Sequence, residues 1–304
     1  MAILYEVEHV TTYRYASRVG FGPHRAMFLP RSGPYGRILT YSATTNLRSR
    51  VRWIIDALSN VVTLIDVDEP GTELRFDFKL RGIHYGVAEA ETFPVDQRAE
   101  AVPVQYTPDE WNDLAGYLRP HAEDPDGSVA TWARSFTVQE QHHSVDVIRR
   151  MLDTIGGTFS YQAREAEGTQ PPTETLRTRS GTCRDYAWLM IEALRRIGFA
   201  CRFITGYIYD AALDTGAGSG MTGSGATHAW VQVYLPGAGW LHYDPTNRIS
   251  GGTDLIPVAT ARHPGQAVPL QGSWFGNAGD YLGMSVNVAI RRLKTLTDDA
   301  DAAV

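Results

Sequence analysis

Three residues of this chain have the types and the order that thiol chemistry needs: Cys183, His228 and Asp244. A cysteine attacks an acyl carbon as its thiolate, and a neighbouring imidazole takes the proton and later gives it to the leaving group. A carboxylate on the other ring nitrogen orients the imidazole and stabilises its cation.

Each residue must be placed by an element, and the sequence predicts which. Thr182 followed three residues later by Asp185 reads as a capping box, so a helix is expected to open at Cys183. Behind it Ala187, Met190, Ile191, Leu194 and Ile197 recur at helical spacing, which predicts one buried face; Gly198 is the expected stop. Cys183 lies on that face at the N-terminal end, where free N–H groups and the helix dipole stabilise a thiolate or an oxyanion. His228 opens an alternating run, 227–235, and Asp244 ends another, 240–244, with Pro236-Gly237-Ala238-Gly239 between them as a hairpin turn.

The hairpin register decides whether the two residues meet. A plain four-residue loop pairs Leu235 with Trp240 and puts Asp244 opposite Val231, on the face away from His228. A three-residue loop pairs Leu235 with Gly239 and puts Asp244 opposite Trp230, on the His228 face, at a diagonal of about 7–8 Å. Such loops use a left-handed Gly and a bulge, so an odd register is expected, with Gly237 or Gly239 in that role.

The rest of the chain supplies context. Its 304 residues, 43% hydrophobic and 20% charged, describe an ordinary globular protein, and a net charge of −6 gives no footprint for nucleic acid. No basic and apolar leader and no membrane-length window stand out. With only Cys183 and Cys201, a reduced, cytoplasmic compartment is expected. A disulfide between the two would consume the candidate nucleophile. Cys201 sits in an apolar strand, 200–209, and is expected to be an inert thiol.

Residues 1–95 read as an N-terminal β domain of sandwich or barrel type, with strands around 4–10, 37–46, 51–56, 61–67 and 73–80. Leu74, Phe76, Phe78 and Leu80 form one face of the last of these. His9, His24 and His84 are scattered through it without metal-ligand spacing. Residues 96–143, broken by prolines and carrying one short helix at 109–117, read as a connector packing on both sides. His142 and His143 are adjacent and do not face each other on a helix. From Ser144 a stripe of Val145, Ile148, Leu152 and Ile155 predicts a helix ended by Gly156-Gly157; residues 159–162 are extended. Residues 144–295 are assigned to the catalytic core with a C-terminal strand at 284–290, and 296–304 to a disordered tail. The Gly/Ser run 211–226 lacks a phosphate-loop ending and is expected to be a flap beside the site.

Gly181-Thr182-Cys183-Arg184-Asp185-Tyr186, Thr227-His228-Ala229-Trp230-Val231-Gln232-Val233 and Gly239-Trp240-Leu241-His242-Tyr243-Asp244-Pro245-Thr246 together resemble the transglutaminase-like superfamily. They are closest in kind to its bacterial cysteine-protease branch. The segment from Tyr5 to Tyr15 and Pro30-Arg31 resemble that branch's accessory β domain. The resemblance implies an α+β fold: a β-sandwich-like module, then a papain-like core whose Cys-bearing helix packs on an antiparallel sheet carrying His and Asp. It implies catalytic Cys183, His228 and Asp244, a thioester intermediate, and a peptide or protein substrate. Relatives place an aromatic or amide side chain at the oxyanion, which makes Tyr161 the candidate second donor after the Cys183 N–H. Hydrolysis is the expected outcome and amine transfer the alternative. A non-catalytic binding protein and a metal centre of His228, His242 and Asp244 are the competing readings. No cofactor is expected, and without an Asp-rich loop no calcium site. No membrane or nucleic-acid partner is expected.

Overall fold

Alternation in the first strand already shows which way the N-terminal unit faces: Ile3, Tyr5, Val7 and His9 are buried while their neighbours are not. In the computed structural model, which describes residues 2–87, 94–138, 143–162, 168–210, 221–222 and 226–293, this strand (Ile3–Phe21) is the centre of a five-stranded antiparallel sheet. Gly71–His84 pairs one side of it and Gly36–Thr45 continues beyond. Leu74, Phe76, Phe78 and Leu80 are buried, as their spacing predicts. A second sheet of Ser49–Ile55, Val61–Val67, His24–Ala26 and Leu270–Gln271 contributes Val62, Ile65 and Ala26 to the same core. The module is therefore sandwich-like.

The last strand corrects one expected boundary. Tyr281–Arg292 does not belong to the catalytic core but pairs along the first strand, from Tyr5 opposite Arg292 to Tyr15 opposite Tyr281. An unpaired edge of backbone donors and acceptors on Ile3–Phe21 is satisfied this way. The expected 144–295 unit thus gives its last stretch back to the N-terminal module. The tail at 296–304 lies outside the described residues.

The catalytic half is built on a second five-stranded antiparallel sheet, in the order Ile249–Ser250, Gly239–Asp244, Thr227–Leu235, Ala200–Ile208, Leu255–Ala261. Ala229, Val231, Val233 and Leu235 share a buried cluster with Ala187, Met190, Ile191 and Leu194 of the helix Cys183–Arg196. The helix has the expected buried stripe, but it is enclosed on its other faces as well. Glu192 and Arg195, both off that stripe, are buried and paired at 2.9 Å.

The cover comes from the segment read as a connector. Ala99, Val104, Val129 and Ala133 lie in the core cluster of the Cys183 helix. The Glu192 carboxylate accepts the backbone N–H groups of His121 and Ala122 at 3.1 and 2.9 Å, and Arg195 Nε donates to the Tyr117 carbonyl at 2.8 Å. Residues 96–138, including the helix Pro108–Leu118 over the expected 109–117, are thus part of the catalytic half.

Gly156-Gly157 does not end the next helix, which runs from Ser144 to Thr158. A Cβ on Gly156 would come within 2.8 Å of the Pro245 carbonyl and 2.5 Å of Arg248 Cγ, whereas one on Gly157 would meet nothing within 4 Å. Gly156 is there for close approach to the chain just after Asp244. Gly156→Ala is expected to destabilise by about 1–3 kcal/mol, as overpacking does, and Gly157→Ala to be neutral or stabilising by up to about 1 kcal/mol. Urea unfolding of the two variants checks this; equal effects would refute the close-approach role.

Candidate active site

The helix that carries Cys183 begins where its sequence says. Thr182 is the N-cap, and the buried Asp185 carboxylate accepts from the Thr182 N–H at 2.8 Å and its hydroxyl at 2.9 Å. The same carboxylate takes the Gln170 N–H at 2.6 Å, which ties the preceding loop to the helix start. Gly181 makes room for this: a Cβ there would sit 2.8 Å from Asp185 Cβ. The capping box therefore does more than start a helix. It fixes the backbone at 181–183 so that the Cys183 thiol, 6% exposed, stands at the N-terminal opening.

The hairpin has the odd register. Leu235 pairs with Gly239, Tyr234 with Trp240 and Val231 with Tyr243, so the next rung sets Asp244 opposite Trp230. Gly237 and Gly239 both take positive φ, at +86° and +74°, as a three-residue loop requires. The ladder itself runs without a bulge from there to Tyr243. His228 Nε2 and Asp244 Oδ2 are 2.9 Å apart, and both side chains are fully buried.

Asp244 is held on every side. Its Oδ1 accepts the Thr246 N–H at 2.9 Å and its Oδ2 the Asn247 side-chain amide at 2.8 Å. Burial raises its carboxyl, but His228 and these donors outweigh that and bring it below the usual carboxylate value. Burial likewise lowers the His228 imidazole, and the charges of Asp244 and Cys183 outweigh it, pushing the ring up to about 10. With Nε2 committed to Asp244, the buried Nδ1 is left without a hydrogen-bond partner. Of the three candidate residues, His228 and Asp244 are in direct contact, and the charge of Cys183 is felt at the His228 ring.

Tyr161 enters the same opening. The short strand Ser160–Tyr161 runs parallel to Ser180–Gly181, with Tyr161 beside Gly181. Its hydroxyl is raised to about 12, by burial first and then by the charge and hydrogen bonding of the Cys183 side chain, against the Cys183 backbone N–H. Tyr161 is thus a neighbour of Cys183, through the pairing beside Gly181 and through the charge its hydroxyl feels. The ring is 40% exposed, so it stands at the mouth of the site.

Other candidates are placed elsewhere. His242 receives the Trp230 indole N–H at 2.9 Å on Nδ1 and meets the Gln232 amide on Nε2, so both ring nitrogens are engaged away from His228 and Asp244. Cys201 is fully buried and its thiol is raised by desolvation. Cys183 and Cys201 are both free thiols. His143 precedes the Ser144 helix at an exposed position, and His142 lies outside the described residues. His9 and His24 are buried in the β module, bonded to Thr11 and to the Gly22 carbonyl.

Sequence reasoning missed Asn247. Pro245-Thr246-Asn247 reads only as the end of a hairpin, yet an amide three residues after a buried carboxylate is the signal of a turn folded back on it. Asn247 also exchanges hydrogen bonds with the backbone of Thr222, at 2.9 and 3.2 Å. This brings the described part of the Gly/Ser run beside the site; most of that run, and with it the expected flap, lies outside the described residues.

With this geometry in view, comparison with known proteins is informative. The transglutaminase-like superfamily model matches residues 130–245, and the bacterial transglutaminase-like N-terminal region matches residues 5–81. The chain thus carries a transglutaminase-like core behind a bacterial transglutaminase-like N-terminal region. An uncharacterized protein of Mycobacterium leprae is 27% identical over 300 residues, 93% of this chain and 97% of its own. A protein-glutamine gamma-glutamyltransferase of Pseudomonas aeruginosa is 36% identical over 73 residues, 24% of this chain and 11% of that one. The fold is shared with a Cytophaga hutchinsonii protein assigned as a cysteine protease, at a TM-score of 0.72 and 20% identity over 97% of this chain and 92% of the other.

The His228–Asp244 pair makes stability depend on pH. An imidazole raised from 6.5 to about 10 contributes stability that is full below 6.5 and lost as pH rises toward 10. The lowered Asp244 carboxyl contributes above its ordinary value of 3.8 and is lost as pH falls through its folded value. The stability gap between wild type and Asp244→Asn, read by urea unfolding, is expected to narrow as pH rises from 6.5 to 10. A gap constant over that range would refute the raised imidazole.

Proposed function

We propose that this protein is a cysteine-nucleophile enzyme that transfers acyl groups from peptide or side-chain amides to water through a thioester at Cys183. The observation that carries the reading is the fully buried His228–Asp244 pair at 2.9 Å, whose ring is raised by the charges of Asp244 and Cys183. The sulfur adds to the amide carbonyl, and the resulting oxyanion is received by the Cys183 N–H and the Tyr161 hydroxyl. The His228 imidazolium gives its Nδ1 proton to the leaving amine as the C–N bond breaks, which leaves the thioester and a neutral ring. That ring takes a proton from the incoming water, whose oxygen displaces the sulfur and releases the acid. Asp244 keeps the ring oriented and its cation stabilised throughout.

Tyr161, exposed at the mouth, leaves the acceptor side open to water, which favours hydrolysis. The second reading replaces water by an amine, and the gamma-glutamyltransferase relative favours it. A peptide or protein is the substrate in both, without membrane or nucleic-acid partners and without a cofactor. Among the described residues no helix is long and apolar enough to cross a membrane. The cytoplasm is the compartment we propose, where two free thiols stay reduced.

The test has two stages. Iodoacetamide at pH 6 is expected to label Cys183 in the native protein at least about tenfold faster than in His228→Ala, while Cys201 stays unlabelled. Equal rates would point to a binding protein that retains the fold. Casein with and without a fluorescent alkylamine then separates peptide release or ammonia loss in water from incorporation of the amine. Tyr161→Phe is expected to slow acylation by on the order of 100-fold while thiol labelling persists; unchanged acylation would remove Tyr161 from the oxyanion site.

A further inference from the structure

A second pocket lies on the far side of the catalytic hairpin, away from Cys183. It has a volume of 230 Å³ and lies, partly open, between the loop 30–36 of the N-terminal module and three strands of the second five-stranded sheet. Gln232, in its wall, is four residues from His228, about 13 Å along the strand.

Two guanidinium groups line it, from Arg31 and Arg202. No carboxylate among the described residues pairs with either. The Arg202 Nε donates to the Gln232 amide oxygen, and its plane stacks on Trp240 at 4.1 Å from the ring centre. Burial, then the opposing nearby phenols of Tyr117 and Tyr35, and the charge of Arg31 set this guanidinium at about 10, below its usual range. Both arginines act on the Tyr35 hydroxyl, so the two cations and the phenol share one neighbourhood. Arg202 is partly buried and Arg31 exposed, and a partly desolvated charge with a stack and neutral hydrogen bonds but no counter-ion favours an anion beside it. A fork of donors fixed in this way suits a planar carboxylate.

Much of the rest of the wall is apolar, with Ser32, His84 and Thr260 as further polar members. Tyr5, Ile38, Ile256 and Val258 face the cavity, with Pro30, Pro34 and Pro257 around them. A pocket of this size and lining matches a small ligand with one anionic end and a hydrophobic body.

We propose that this pocket is a binding site for a small organic carboxylate, whose anion lies between Arg31 and Arg202 and whose apolar body fills the wall shared by the two halves. The site is independent of the reaction proposed at Cys183. It also touches the hairpin from behind, since Gln232 bridges Arg202 to His242, which in turn holds the Trp230 indole stacked on His228.

Calorimetric titration of the full chain with benzoate tests the site, with inorganic phosphate and neutral benzamide as the other arms. Benzoate is expected to bind saturably, and both other probes at least tenfold more weakly. Arg31→Gln, an exposed position whose change leaves the fold and the iodoacetamide reactivity of Cys183 intact, is expected to weaken benzoate at least tenfold. Arg202→Lys keeps the charge but loses the fork and is expected to weaken it as well. Absence of saturable benzoate binding, equal binding of benzamide, phosphate binding as tight as benzoate, or unchanged affinity in Arg31→Gln would each overturn the proposal.

Discussion

The 2.9 Å contact between His228 Nε2 and Asp244 Oδ2 is the constraint around which the catalytic half is arranged. Side chains alternate along a strand, so two residues on neighbouring strands share a face only when the register has the right parity. The loop Pro236-Gly237-Ala238 supplies it, because Gly239 takes a left-handed conformation that a residue with a Cβ adopts at a cost. From that single choice follow the pairing of Val231 with Tyr243, the burial of Ala229, Val231 and Val233 against the Cys183 helix, and the position of Asp244 at the end of its strand. A carboxylate and an imidazole taken fully out of water must be paired and hydrogen-bonded. Thr246 and Asn247 complete that shell, and Gly156 lets a third element close against the same turn.

Much of this was legible because it is local. The capping box at Thr182–Asp185, the helical stripe and the hairpin parity each involve residues a few positions apart, and each appears in the structure. Tyr161 was legible only as an extended piece upstream, and its strand pairs beside Gly181, two residues before Cys183. What was not legible depends on contacts distant in sequence. The Glu192–Arg195 pair looks like a solvated helix face until residues 121–122 and Tyr117 arrive to satisfy it. Glycine carries two opposite meanings, chain stop and close approach, and only the Pro245 carbonyl near Gly156 tells them apart. The alternating run at 281–292 declares a strand but not its partner, because pairing with Ile3–Phe21 spans nearly the whole chain.

That last pairing bears on how the molecule works as a unit. The strand Leu255–Ala261 joins the catalytic sheet through Ala200–Ile208, while its Ile256 and Val258 lie in the hydrophobic cluster of the N-terminal module. Tyr207 does the same from the neighbouring strand. Between them the buried Asn60 of the module exchanges hydrogen bonds of 2.8 Å with both the N–H and the carbonyl of Thr260. A surface closed by a shared apolar cluster and a two-way amide bridge is not one on which rigid bodies slide freely, because opening it would strip a buried amide of its partners. The chain then crosses back to finish the first sheet. The sandwich therefore acts as the back wall of the catalytic sheet: it fixes the strands that carry His228 and Asp244 from the side opposite the Cys183 helix. The sheet is held between two packed layers, and the pairing of His228 with Asp244 is set by the fold itself.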